Sequence, residues 1–235
     1  MTPGGQLLIY TVALNLYAVL LIFARSWIYR VPVYRPMVLN FFLSVLPLVL
    51  LAVTVLACGL ATALGGTVAG LVVLVLGLAV WLLALPNSSY LITELNLNHR
   101  RTDDPVPLWY DIIAVLSFVM SGVVNMVVSV LLVQIVFVTV FYGDDDTAAM
   151  TGAPARLLCV IVLSLVSIGM YLGRYLRFNS WDVRAPGRMW TKLREHFDSG
   201  TAVGNAVLFC LTHTVFLYLV YGLIVDPLVD ALIEA

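Results

Sequence analysis

Residues 37–86 read MVLNFFLSVLPLVLLAVTVLACGLATALGGTVAGLVVLVLGLAVWLLALP, without one Asp, Glu, Lys or Arg. Crossing the hydrocarbon of a bilayer, ~30 Å thick, takes about 20 apolar residues in a helix. The stretch is long enough for two crossings, Met37–Ala57 and Thr67–Pro86, joined by a turn over Cys58–Gly66. Backbone groups inside lipid must be satisfied within the segment, so both crossings are expected to be helices. Outward from this pair, Gln6–Ala24, Ile112–Tyr142, Leu157–Gly173 and Thr201–Val225 are equally free of charge. The expected fold is all-α: a single membrane domain over residues 1–235, a polytopic bundle of six transmembrane spans. A re-entrant seventh element over 86–98 is an alternative within it.

The first run does not read as a cleavable leader. No basic stretch precedes it, and Arg25, Trp27 and Tyr29 stand where small residues would mark a cleavage site. The fourth run is about 46 Å long at ~1.5 Å per residue. It must tilt, protrude or break, and Gly122 beside Asn125 is the expected weak point.

Composition agrees with the spans. The chain is 62% apolar and 11% charged, against about 45–50% and about 25% in soluble domains. A soluble enzyme is excluded on those figures, and a disordered chain with it. Net charge is −1, which gives no general attraction to nucleic acid.

Lysine and arginine sort the loops. Arg25, Arg30 and Arg35 follow the first span, Arg100 and Arg101 the third, and Arg174, Arg177, Arg184, Arg188, Lys192 and Arg194 the fifth. Of the basic residues only Arg156 falls in the other set of loops, with Asp144–Asp146. The expected threading puts both termini outside, the three basic loops in the cytoplasm, and the protein in the cell membrane as a multi-pass chain.

Polar residues inside the spans narrow the search for a site. Ser117, Ser121, Asn125 and Ser129 recur every four residues along the fourth span. Such a ridge should face other helices or a wet cavity rather than lipid. Asn15, Asn40, Gln134, Asn205 and the mid-span His213 add further polar groups. In the third span Gly66, Gly70, Gly77 and Ala84 place small residues on one face, the pattern of close helix approach. Cys58, Cys159 and Cys210 show no C-x-x-C spacing, and His99, His196 and His213 form no zinc pattern. No metal and no cofactor is expected. After Pro186, Met189, Trp190, Leu193 and Phe197 oppose Arg188, Lys192 and Arg194. That is the pattern of an interfacial helix, about 188–198, held by anionic lipid.

Three short stretches carry a resemblance. Leu85-Pro86-Asn87-Ser88-Ser89-Tyr90 with Thr93-Glu94-Leu95 is one. Pro107-Leu108-Trp109-Tyr110-Asp111 is the second, and Tyr171-Leu172-Gly173-Arg174-Tyr175-Leu176-Arg177-Phe178-Asn179-Ser180-Trp181-Asp182 the third. They resemble signatures of a family of prokaryotic multi-span membrane proteins known as domain of unknown function 1361. The resemblance implies a polytopic membrane protein and no established activity.

On the expected threading the three stretches meet at one membrane face. They gather Asn87, Tyr90, Glu94, Trp109, Asp111, Arg174, Arg177, Asn179, Trp181 and Asp182. Arginine grips phosphate or carboxylate bidentately, so this cluster suits an anionic small molecule or lipid headgroup. Equally, Arg174 could pair with Asp111 or Asp182 and clamp helix ends together, with Glu94 and Tyr90 at the border. Three classes of function follow. The first is binding or transport of a polar or anionic ligand. The second is a membrane-embedded enzyme on a lipid-linked substrate, with Asp111 or Glu94 as acid or base. The third is a structural or assembly role. No activated nucleophile or metal set is visible, which weighs against the enzyme.

Overall fold

The computed structural model describes residues 2–96, 105–143, 147–176 and 186–233. Among them all regular structure is helical. The elements are α1 (Pro3–Tyr29), α2 (Arg35–Ala84), α3 (Pro86–Tyr90), α4 (Leu108–Tyr142), α5 (Ala153–Tyr175), α6 (Pro186–His196) and α7 (Gly200–Ile233). Two 3-10 turns, Leu91–Asn96 and Thr147–Thr151, complete the set. Five helical segments are long and apolar enough to cross a membrane: α1, α4, α5, α7 and the run Arg35–Thr93 that contains α2.

The longest of these is two helical arms in one. Gly66 leaves helical geometry at φ 80°, ψ 176°, a region that glycine enters without the clash a Cβ would cause. The chain reverses there. A Cβ on Gly70 would lie 1.9 Å from Thr62 Oγ1, and one on Gly77 would lie 2.3 Å from Thr54 Cγ2. Residues so far apart along a straight helix could not touch, so α2 is a hairpin whose arms run antiparallel. The small-residue stripe is therefore its inner seam. Without lipid-to-helix hydrophobic drive, such close approach is how spans gain dispersion contacts.

Local signals explain the remaining boundaries. Thr2 caps α1, its Oγ1 accepting from the Gly5 N–H at 3.3 Å, and Pro3 stands in the first turn. Pro107 precedes α4, and Gly143 at φ 90° ends it. Gly152 and Pro154 open α5. α4 is the centre, touching α1, α2, α3, α5 and α7. Its inner side packs Met126, Val127 and Val130 against Leu51 and Trp81 of α2, Leu163 and Val166 of α5, and Leu217 and Tyr221 of α7. Large apolar side chains such as Leu56, Leu64, Val68 and Leu223 stand exposed on the outside, as a lipid-facing surface requires.

Two expectations change. The fourth span does not break at Gly122, because α4 is continuous from Leu108 to Tyr142. Gly122 serves instead as a seat: a Cβ there would lie 2.3 Å from the Ser88 backbone oxygen. The break falls before α3, where proline cannot continue the hydrogen-bond ladder. From there Pro86–Asn96 runs as a short helix and a 3-10 turn, whose Ser88–Leu91 part is packed into the bundle against α4 and α5. Gly169 of α5 receives Pro86, at 2.4 Å from a would-be Cβ. Ser88, Ser89 and Leu91 are fully buried.

Candidate functional site

Asp111 sits in the first turn of α4, where a carboxylate is favoured by the helix dipole. It is 1% exposed, and its Oδ1 accepts from Arg25 Nε at 2.8 Å. Arg25 comes from α1, which continues past the sequence-expected end of the first span to Tyr29. The guanidinium side chain is only 18% exposed. Among the described residues Asp111 thus has a partner on α1, Arg25, while the alternative partner expected for Arg174, Asp182, lies outside them. Arg174 is half-buried on the last turn of α5. The physical reason is helix length: with α1 extended, Arg25 continues the buried stripe Thr11, Ala18, Leu21 and Ile22 by one further turn.

Around the pair, Ile22, Ser26, Tyr34 and Met37 help enclose a cavity of about 20 Å³, room for one water molecule. Tyr110 stands beside it and donates its hydroxyl to the Leu21 carbonyl at 2.9 Å. The Tyr29 ring meets Tyr110 edge-on at 5.2 Å. α1 and α4 are thereby pinned together at this end, while Trp109 turns outward, 65% exposed.

Deeper along α4 lies a polar layer. Asn125 and Asn15 exchange reciprocal amide hydrogen bonds: Asn15 Nδ2 donates to Asn125 Oδ1 at 2.8 Å, and Asn125 Nδ2 donates back to Asn15 Oδ1 at 3.0 Å. Asn125 Nδ2 also reaches Ser44 Oγ at 3.4 Å. Ser88 Oγ donates to the Ser44 carbonyl at 2.6 Å, so α1, α2, α3 and α4 join in one network. Ser117, Ser121 and Ser129 are buried on the same helix. Ser121 donates to the Phe118 carbonyl at 2.8 Å. Ser89 Oγ, Ser129 Oγ and Trp81 Nε1 are buried with no hydrogen-bond partner among the described residues. Asn125→Leu should cost about 1–3 kcal/mol, because the Asn15 amide keeps only its bond to the Thr11 carbonyl. Reversible unfolding in bicelles measures it, and an unchanged unfolding midpoint would contradict the network.

The other sequence candidates fall as follows. Asn87 Nδ2 donates to the Ala84 carbonyl at 2.8 Å and so closes the end of the α2 hairpin. Tyr90 is half-buried, and its carbonyl accepts from Thr93 Oγ1 at 2.7 Å. His213 stacks on Phe209 with ring centroids 3.7 Å apart, and its Nδ1 lies 2.8 Å from the Phe209 carbonyl. Arg177, Asn179, Trp181 and Asp182 lie outside the described residues, as does the side chain of Glu94. α6 docks through His196, whose Nε2 lies 2.8 Å from Tyr171 Oη. Sequence reasoning missed Arg25 as a site residue, taking it for a loop charge, and passed over Ser44. The three- and four-residue spacing from Thr11 to Ile22 was the signal that would have placed Arg25 inside.

An apolar helical bundle built around a buried ion pair and a polar layer is a membrane protein in composition and architecture. A family described as "Protein of unknown function (DUF1361)" matches residues 39–220. The chain belongs to that family. No curated protein matches it, and neither does any solved structure.

Proposed function

We propose that the protein is a multi-pass protein of the cell membrane that binds or transports a polar or anionic small molecule or lipid headgroup, received at the Arg25–Asp111 end. The observation that carries this is the buried pair itself. A planar guanidinium sits in a small cavity between the end of α1 and the start of α4, and the loops expected at that face carry eleven of the twelve basic residues of the sequence. An incoming anion would compete with Asp111 for Arg25, and the polar layer at Asn125 would lie beyond it. The orphaned Ser89 and Ser129 hydroxyls support a polar path, since unmatched polar groups are costly in hydrocarbon. In the same reading the basic loops face the cytoplasm, both termini lie outside, and α6 rests on anionic lipid.

Thermal unfolding of the purified protein with glycerol 3-phosphate tests this. The phosphate should raise the wild-type Tm by a few degrees, as ligand at many times its Kd does. The shift should vanish in Arg25→Lys, which keeps the charge and loses the fork. An equal shift in both proteins, or none in either, overturns the assignment of the site.

A further inference from the structure

At the end of the bundle opposite Arg25 and Asp111, α4, α5, α7 and the 3-10 turn Thr147–Thr151 enclose a cavity of about 370 Å³. That volume is within the usual range of small-molecule sites, about 300–1,000 Å³. Its floor is already satisfied. Tyr221 Oη donates to Gln134 Oε1, and Gln134 Nε2 donates to the Met150 carbonyl at 2.7 Å. Its rim is not. Arg156 and Asp226 both line the cavity, are both exposed, and form no ion pair with each other.

Each charge is oriented. Arg156 Nε donates to the Thr151 carbonyl at 3.0 Å, which fixes the guanidinium plane and leaves its terminal NH2 groups without a partner among the described residues. Arg156 also stands in the first turn of α5, where the helix dipole disfavours a cation and an anion would relieve the cost. Asp226 Oδ2 folds back over Gly222, 3.3 Å from where a Cβ would be. The absent side chain leaves that carboxylate open to the cavity.

A second cavity adjoins the first. Between α1, α4 and α7 runs a groove of about 320 Å³ lined almost wholly by apolar groups, among them Leu7, Leu131, Leu132 and Leu228. Met150 and Val229 line both cavities. A fixed cation and a carboxylate thus share the rim of one chamber of mixed lining whose wall is also the wall of an apolar slot. A soluble amino acid or an anion alone would use only part of that arrangement.

We infer that this end holds a phospholipid whose headgroup carries both a phosphate and a protonated amine. The phosphate would take the Arg156 fork, the ammonium would take Asp226, and an acyl chain would fill the Leu131–Leu132 groove. The ligand differs in charge from that proposed for the Arg25 end, and the residues are separate.

Native mass spectrometry of the full-length protein in detergent tests it with phosphatidylethanolamine, phosphatidylglycerol and free phosphoethanolamine. Phosphatidylethanolamine should bind about tenfold more tightly than phosphatidylglycerol. Arg156→Gln and Asp226→Asn should each weaken it about tenfold. Both side chains are exposed, so neither change removes a buried contact, and an unchanged Tm verifies folding. If either variant unfolds, Arg156→Lys replaces it and should weaken binding through loss of the fork alone. Leu132→Trp, which blocks the groove, should weaken the lipid and not phosphoethanolamine. Equal binding of the two lipids, or wild-type binding by the charge variants, overturns the inference. Phosphoethanolamine binding as tightly as the lipid, with Leu132→Trp silent, overturns it in favour of a soluble zwitterion.

Discussion

Asp111→Ala lowers the stability of the bundle by about 3–5 kcal/mol, the usual cost of stranding one member of a buried pair. Asp111 is fully enclosed and the Arg25 side chain is largely so, so the substitution removes the carboxylate that meets this guanidinium where water is scarce. The loss is expected in the folded state rather than in membrane insertion, since the substitution makes α4 more apolar. The double change Arg25→Met with Asp111→Leu should recover most of it, because apolar replacement of a whole pair is often neutral or better. Unfolding midpoints of the two single variants and the double variant in bicelles give the coupling directly. Additive losses, with no recovery in the double variant, would contradict a pair that acts as a unit.

Gly122→Ala should cost about 1–3 kcal/mol, the range for overpacked cores, and toward the upper end of it. The obstacle is the Ser88 backbone oxygen at 2.3 Å and Leu91 Cδ1 at 2.7 Å. Leu91 could change rotamer, whereas the carbonyl belongs to α3 and moves only if that helix moves. Displacing α3 would also pull Ser88 Oγ from the Ser44 carbonyl, so the Asn125 layer loosens with it. Gly4→Ala, with nothing within 4 Å of the new methyl, is the control. Unfolding curves of the two variants should separate clearly. Coincident curves would mean that α3 is not seated on α4.

These two sites mark how far the sequence could be read. Helical spans were legible because an uncharged run of sufficient length has one stable state in lipid. The seam at Gly70 and Gly77 was legible from the spacing of small residues. The ridge through Asn125 was legible as inward-facing, and its partners Asn15 and Ser44 confirm where it points. Pairing across helices was not legible, because depth along a span does not say which neighbour is adjacent. Arg174 and Asp111 belong to matching ends of their helices, yet α1 supplies the cation that reaches the carboxylate. Gly122 misled for a related reason. A glycine mid-helix signals either a kink or a close neighbour, and only the fold shows α3 occupying the place of the missing side chain.

The Gly66 reversal has a consequence for how the chain enters a bilayer. Between Arg35 and Glu94 no side chain carries a charge, so the turn joining the two arms has nothing to hold it in water on either side during synthesis. Carrying that turn across the hydrocarbon demands no dehydration of an ion, and the seam contacts at Gly70 and Gly77 can form as soon as both arms have emerged. The hairpin can therefore partition as a single prefolded unit, with its direction dictated by the arginines that flank it rather than by any residue within it.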